Sequence, residues 1–400
     1  MLNAKLFLES ILATILVFVV LGIFSTFPYD IKFLNPIKIL MKDFKYTDIY
    51  YSKLAEKDKP INSEIVLVNI GNLDRAGIAA TLNGLQQADP AVIGVDIMFY
   101  GQRDPLSDQF LKEELSRPNV VVTSILHAEE DPPTILTSNA FFGDLNYAYA
   151  NLVAGDSLAS TIREIMPFFD DGIYYDEAFT SKILEMYDSS AFEDLSRRGN
   201  EIETINYYGT YKQFIDYEGE QIIFGEFDPL SVKDKIVLLG YMGNFVGDAS
   251  NLEDFKYTPL NHEVVGKSIP DMHGLTIHAN ILTMYMHRQY IDVMPKLLAF
   301  FLDFIICYIH VVLFMYLFVK LHLWYHLYAK LIQFITSVVL IYILFYFYEM
   351  HHYLINATLI LITVLISVDV LYLYETLAVV VYKKYGLKSY FIHEHGSNEE

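Results

Sequence analysis

Apolar residues in this chain follow two patterns. Four long stretches are apolar on every side of a helix, and several short runs of β-branched and aliphatic residues lie between the first stretch and the second. A bilayer core takes about 20 mostly apolar residues as helix. Residues 6–27, 297–319, 331–348 and 354–378 answer that description and predict four membrane spans, the third extending back toward Trp324. The short runs are residues 65–70, 92–99, 120–126 and 236–241, each apolar almost without interruption. Strands buried on both faces of a parallel sheet read this way. Helical spacing separates them. Ile78, Leu82 and Leu85 mark a helix over 73–87, a second follows over 107–117, and Ala178, Ile183, Leu184 and Tyr187 mark a third over 176–187. Strand alternating with helix predicts a mostly parallel sheet with helices on both faces. The fold class is therefore an α/β extracytoplasmic domain plus four transmembrane α-helices. Pro132-Pro133 marks a turn.

Charge sharpens this division. The chain carries a net −21, of which residues 28–295 hold −20; residues 1–27 are neutral and residues 296–400 carry −1. An acidic centre between apolar ends excludes nucleic acid as a partner, since phosphate backbones demand Lys and Arg. It also argues against the centre lying on anionic lipid. The single cysteine, Cys307, falls inside an apolar stretch, which excludes an intrachain disulfide and a multi-cysteine zinc site.

Four pieces follow: residues 1–29 as an N-terminal anchor, 30–295 as the external domain, 296–378 as three membrane helices, and 379–400 as a short tail. The first helix reads as retained rather than cleaved. Its apolar run is long, Glu9 stands where a signal peptide would be basic, and Ser25-Thr26-Phe27-Pro28 is a poor cleavage site. Lys320 and Lys330 bracket the loop between the second and third helices, and Lys383, Lys384 and Lys388 follow the fourth. Positive loops stay in the cytoplasm. Both termini are thus expected there and the acidic domain outside, with Lys32, Lys38 and Lys42 as the dissenting charges.

Candidate chemistry is sparse. Asp96 ends a buried strand, where ligands of open α/β sheets gather. With Asn206, Tyr208 and His278 it forms the candidate ligand-binding or partner-binding set; for each, capping or packing is the competing reading. Within the spans, Asp303 and His310 share one helix face and Asp369 lies at similar depth on the last helix. Intramembrane charges face a partner or a cavity, so a His310–Asp369 contact ordering the helices is expected. Asp170-Asp171 with Asp176 lacks calcium-loop spacing. His351-His352 and His393-x-His395 lack a third zinc ligand. Gly266-Lys267-Ser268 lacks the preceding glycine of a phosphate loop, Asn261 standing in its place. No Gly-x-Ser-x-Gly or His-Glu-x-x-His occurs. No cofactor, metal or catalytic residue is expected.

Several segments in order resemble one family. These are the strand at 65–70; Gly94-Val95-Asp96 within the second strand; Arg163 and Pro167; the helix to Tyr187; Ile205-Asn206-Tyr207-Tyr208-Gly209; residues 235–240 with the later Asp248 and Thr258-Pro259; and His273-Gly274-Leu275-Thr276-Ile277-His278-Ala279-Asn280. The chain resembles the second subtype of CHASE domains, extracellular sensor modules of bacterial cyclases and kinases. Two departures stand out. Asn72 to Ala80 replaces a Trp-Pro-rich stretch, and only about 20 residues follow the last helix, so no cytoplasmic catalytic domain is expected. The resemblance implies an inner-membrane sensor with a periplasmic domain, acting through a separate membrane or periplasmic protein on a ligand the sequence does not name. A structural subunit of an envelope complex is the alternative, favoured by three clustered helices where anchoring needs fewer.

Overall fold

The computed structural model describes residues 4–26, 46–55, 59–152, 161–248, 250, 254–261, 269–321, 324–355, 358–387 and 389–391. Lys32, Lys38, Lys42, Lys388, Gly266-Lys267-Ser268, His393, His395 and the tail 396–400 lie outside the described residues. The chain divides into two compact units, Pro36–Ile291 and Met1–Asn35 with Asp292–Glu400.

In the first unit a mixed but mostly parallel sheet carries the fold. Its strands are β1 (Asn62–Asn69), β2 (Val92–Asp96), β3 (Val120–His127), β4 (Thr134–Leu136), β5 (Tyr147–Tyr149), β6 (Phe214–Glu218) and β7 (Ile236–Gly240). The order is β6-β1-β7-β2-β3, with β5 parallel and β4 antiparallel to β3. Leu67 lies opposite Leu238, and Gly240 opposite Asp96. Helices α2 (Arg75–Gln87), α3 (Pro105–Leu115) and α6 (Gly219–Phe224) cover one face; α4 (Phe179–Tyr187), α5 (Ser189–Arg198) and α7 (Gly274–Met286) cover the other. Strand side chains alternate between faces. Val66, Val68, Val237 and Leu239 thus join Ile78, Leu82 and Leu111 under α2 and α3. Each such side chain contributes about 1.5–3 kcal/mol on burial.

The helices start where polar caps allow. Asp74 accepts from Gly77 N, Asp104 from Ser107 N with Pro105 in the first turn, and Asp188 from Ala191 N. Gly94 lets α4 approach the sheet. A Cβ there would stand 2.5 Å from Ile183 Cδ1 and 2.7 Å from Phe179 Cζ. Arg75 and Asp108 lock α2 to α3 at 2.5 Å with both side chains buried, and the guanidinium also donates to the carbonyls of Tyr100 and Gly101.

Two expectations are amended. The predicted helix over 176–187 starts only at Phe179, because Tyr175–Glu177 pairs with Phe168–Asp170 as a hairpin. Strand β6 and helix α5 were not foreseen, for Phe214-Ile215-Asp216-Tyr217-Glu218 is too polar to resemble a buried strand; as an edge strand it needs only one covered side.

The second unit contains α1 (Ala4–Thr26), α8 (Lys296–Leu321), α9 (Tyr325–His351) and α10 (Thr358–Tyr385), all long and apolar enough to cross a membrane. The interior face of α1 is Leu6, Ser10, Ala13, Thr14 and Val17; that of α8 is Asp303, Cys307, His310, Val311 and Phe314. Asp292-Val293 pairs with Tyr353-Leu354, tying the approach to α8 to the α9–α10 turn. Past α10 the chain folds back, and the Glu9 carboxylate accepts from Ser389 Oγ at 2.6 Å and Tyr390 N at 2.9 Å.

Candidate functional site

The carboxyl ends of β1, β7 and β2 meet the start of α7 in one crevice. Asn69 closes its floor. The Oδ1 of this buried side chain accepts from Gly71 N and Met242 N, while its Nδ2 donates to Gly243 O and Glu218 Oε2. All four of its hydrogen-bonding positions are used, which fixes two loops to one strand end. Gly240 and Gly274 let α7 sit close. A Cβ on Gly240 would lie 2.9 Å from Leu275 Cδ1, and one on Gly274 would lie 3.4 Å from Asp254 Oδ2 and 3.9 Å from Asp96 Oδ2. Two carboxylates therefore approach the first turn of α7, where the helix dipole favours negative charge. Even so, the Asp96 pKa is pushed up to about 7, first by burial and then by Asp254, with Lys256 pulling the other way.

Beside this crevice lies a cavity of about 510 Å³ lined in part by Tyr51, Tyr208, Tyr211, Phe255, Asp271 and His273. Its size falls in the range of small-molecule sites. Asn280, fully buried on α7, shapes one wall. Its Oδ1 accepts from Tyr208 N at 2.7 Å and Gly209 N at 2.9 Å, and its Nδ2 donates to Gly209 O and Thr276 O. The Ile205-to-Gly209 segment is thereby held as irregular chain against a helix. Asp271 accepts from Thr258 N and Thr258 Oγ1. Burial raises its pKa to about 6 against the lowering effect of those bonds and of Asn261. His273 is buried, its ring centroid 3.9 Å from that of Phe255, and its Nε2 has no hydrogen-bond partner among the described residues. Burial lowers its pKa; Asp254 opposes this and Lys256 adds to it.

The candidates named from sequence separate. Asp96 stands in the crevice, as its strand position implied. Tyr208 lines the cavity while its hydroxyl donates to Pro60 O. Asn206 is a tie: its Oδ1 accepts from Tyr51 OH and its Nδ2 donates to Gln289 O. His278 needs correction as a contact residue. It is 2 % exposed, packed edge-on against Phe179, and its pKa is lowered to about 4 by burial, so it is a neutral core side chain with no face for a ligand. The expected His310–Asp369 contact is also absent. His310 Nδ1 bonds Ile306 O within its own helix, and Asp369 lies on an exposed face of α10. Equal depth did not secure equal facing. Asp303 is buried, with Oδ1 lacking a partner among the described residues.

Asp170 and Asp171 cap the hairpin turn through Gly172 N, Ile173 N and Tyr174 N. Among the described residues no three His, Cys, Asp or Glu side chains gather as metal ligands.

Sequence reasoning passed over Asp271 and Tyr51, and named His273 only as part of a family segment. Asp271 and His273 flank Met272 immediately before α7, and an acid and a histidine leading into a helix start are a signal of the same kind that drew attention to Asp96. Tyr51 carried none, since its position depends on Asn206 and Tyr207 far along the chain. Arg163 forms a two-pronged pair with Asp48, at 2.9 Å and 2.6 Å, across more than a hundred residues.

Neither the curated proteins nor the solved structures gave a match to this chain. The CHASE2 domain matches residues 50–317, which takes in the whole sheet, the crevice and the cavity wall. The chain therefore belongs to the CHASE2 domain family.

Proposed function

We propose that this protein is an inner-membrane sensor whose domain faces the periplasm, binds a small ligand in the cavity beside α7, and acts through a separate partner without catalysis of its own. The observation that carries the reading is the cavity itself. It opens beside the first turn of α7, and α7 ends at Met286, ten residues before α8 begins at Lys296. A ligand that moves the start of α7 acts on a helix joined by a short segment to a membrane span. The direction across the bilayer rests on Lys320 closing α8 and Lys383 and Lys384 closing α10, the positions that positive residues take on the cytoplasmic side.

The test is a melting-temperature screen of the full chain in lipid nanodiscs against small metabolites of varied charge. A ligand present at about 100 times its Kd adds about 2.7 kcal/mol to stability, a shift that such a screen resolves. Absence of any shift, with stoichiometric recovery of other membrane proteins on mild solubilisation, would replace the sensor by a scaffold. Topology is checked separately. An impermeant amine reagent applied to spheroplasts should label Lys112 and Lys212 and spare Lys383 and Lys384; the reverse pattern would invert the orientation.

A further inference from the structure

The cavity has a chemical bias. Its ring-bearing wall residues include Tyr51, Tyr208, Tyr211, Phe255 and His273, and its half-buried acid is Asp271. The groups bonded to that acid are Thr258 N at 2.8 Å, Thr258 Oγ1 at 2.5 Å and, more distantly, Asn261 Nδ2 at 3.4 Å. All three donors are neutral. Among the described residues no Lys, Arg or His pairs with Asp271. A carboxylate removed from water is costly unless a cation meets it. Lys212, also on the wall, is exposed to solvent and makes no ion pair with it.

A second observation points into the same space. His273 lines the cavity, is 6 % exposed, and has an Nε2 without a partner among the described residues. A polar group enclosed and unmatched in this way is a place where a ligand atom completes the bonding. Acids stand nearby as well: Asp248 follows the wall residue Gly247, and Asp254, which pairs with Lys256, precedes the wall residue Phe255, within a stretch, residues 28–295, that carries −20. Aromatic faces next to one carboxylate form the setting that attracts organic cations, through ring quadrupoles and direct charge pairing.

We propose that the cavity binds a small organic cation, a protonated amine or a quaternary ammonium, with its charge against Asp271 and its apolar body among Tyr51, Tyr208 and Phe255. This rests on the sensor reading and narrows it to one class of ligand. An inorganic cation does not fit as well, since the described residues bring no three metal-ligating side chains together and a ring-lined space wastes a bare ion's demand for oxygen ligands.

The experiment is calorimetric titration of the full chain in nanodiscs, near neutral pH, with four probes: phenethylamine, choline, the neutral phenethyl alcohol and the anionic phenylpropionate. At least one of the two cations should bind saturably, and at least tenfold more tightly than the neutral and anionic probes, a difference of about 1.4 kcal/mol. Asp271→Asn keeps the shape of the acid and should weaken that binding at least tenfold while the ligand-free protein melts as before. Tyr211→Leu, which removes a ring whose hydroxyl has no hydrogen bond among the described residues, gives a second reading should Asp271→Asn fold poorly; it should weaken the cation severalfold and leave the neutral probe unaffected. Equal affinity for the cationic and neutral probes would overturn the proposal, as would undiminished binding by Asp271→Asn or no binding of either cation. If the wider melting screen then finds only neutral or anionic ligands, the cation assignment falls and the sensor stands; if no compound of any charge shifts the melt, both fall.

Discussion

The α/β unit and the membrane unit treat their apolar residues differently. In the first, Ile65, Leu67 and Leu238 are wholly enclosed. In the second, Leu8, Phe334 and Tyr342 stand well exposed on the helix surfaces, and Ser10, Thr14, Gln333, Thr363 and Ser367 lie inside. The difference follows from the solvent. Water drives apolar surface together, whereas hydrocarbon is as apolar as leucine and leaves helix association to close packing and hydrogen bonds. Polar residues inside the two units therefore have different duties. Asn69 and Asn280 tie remote segments to strand and helix through both ends of their amides. The bundle hydroxyls mostly bond within their own helix, Ser10 to Leu6 O, Thr14 to Ser10 O and Ser367 to Val364 O. They permit close approach more than they cross-link.

The strongest way to break this contrast is Arg75→Ala. The variant leaves Asp108 buried and charged, with Arg103 N as its remaining donor. Loss of one member of a buried pair costs about 3–5 kcal/mol. Denaturant unfolding of the full chain in detergent should show that loss in the transition of the α/β unit, with the bundle transition in place. A cost under about 1 kcal/mol would mean that the pair is solvated like a surface bridge. Asn280→Ala comes next. It strands the N–H groups of Tyr208 and Gly209, each worth about 1–3 kcal/mol if left unpaired. About 3 kcal/mol is expected in the same unfolding experiment. A neutral result would show that water takes the amide's place.

The sequence made parts of this legible for physical reasons. Strands β1, β2, β3 and β7 are buried on both faces, so their apolar runs were continuous and recognisable. Long apolar helices announce themselves by length alone, and all four of those predicted are present. The position of Asp96 was legible because the end of a buried strand is a defined place. The cavity was not. Its walls come from Tyr51, Tyr208, Phe255 and Asp271, residues brought together by the pairing of β6 with β1 and by the amide of Asn280, neither of which leaves a local trace. His278 misled because periodicity locates a helix without showing that every side of it is covered; all thirteen residues of α7 are buried. The His310–Asp369 expectation failed on rotation, which depth along a helix does not determine.

Asp96→Asn sharpens the comparison at the crevice. The folded pKa of about 7 lies above the ordinary 3.8, so the folded chain holds the proton more tightly. The group therefore destabilises once pH rises past the unfolded value, and does so fully above about 7. The asparagine variant should match the parent near pH 4 and exceed it near pH 8, by on the order of 1 kcal/mol since partial water contact screens the charge. Melting curves at both pH values decide it. An advantage that persists unchanged at the acid end would assign the effect to shape instead of charge.

The smallest effect belongs to the bundle and bears most directly on the contrast. Gln333 reaches from α9 to α10, its Nε2 lying 2.8 Å from both Val364 O and Leu365 O. Those carbonyls sit in the body of α10, where helix bonds already engage them, so Gln333→Leu leaves no acceptor stranded. Leucine fills a similar volume. Interhelical hydrogen bonds in a bilayer average about 0.6 kcal/mol because the separated helices find other partners. Thermal unfolding in detergent should thus register a loss of about 0.5–1 kcal/mol, several times less than Asn280→Ala. Equal losses at the two sites would mean that an interior amide is worth the same on either side of the solvent divide. The division of duties between tying and close packing would then have to be abandoned.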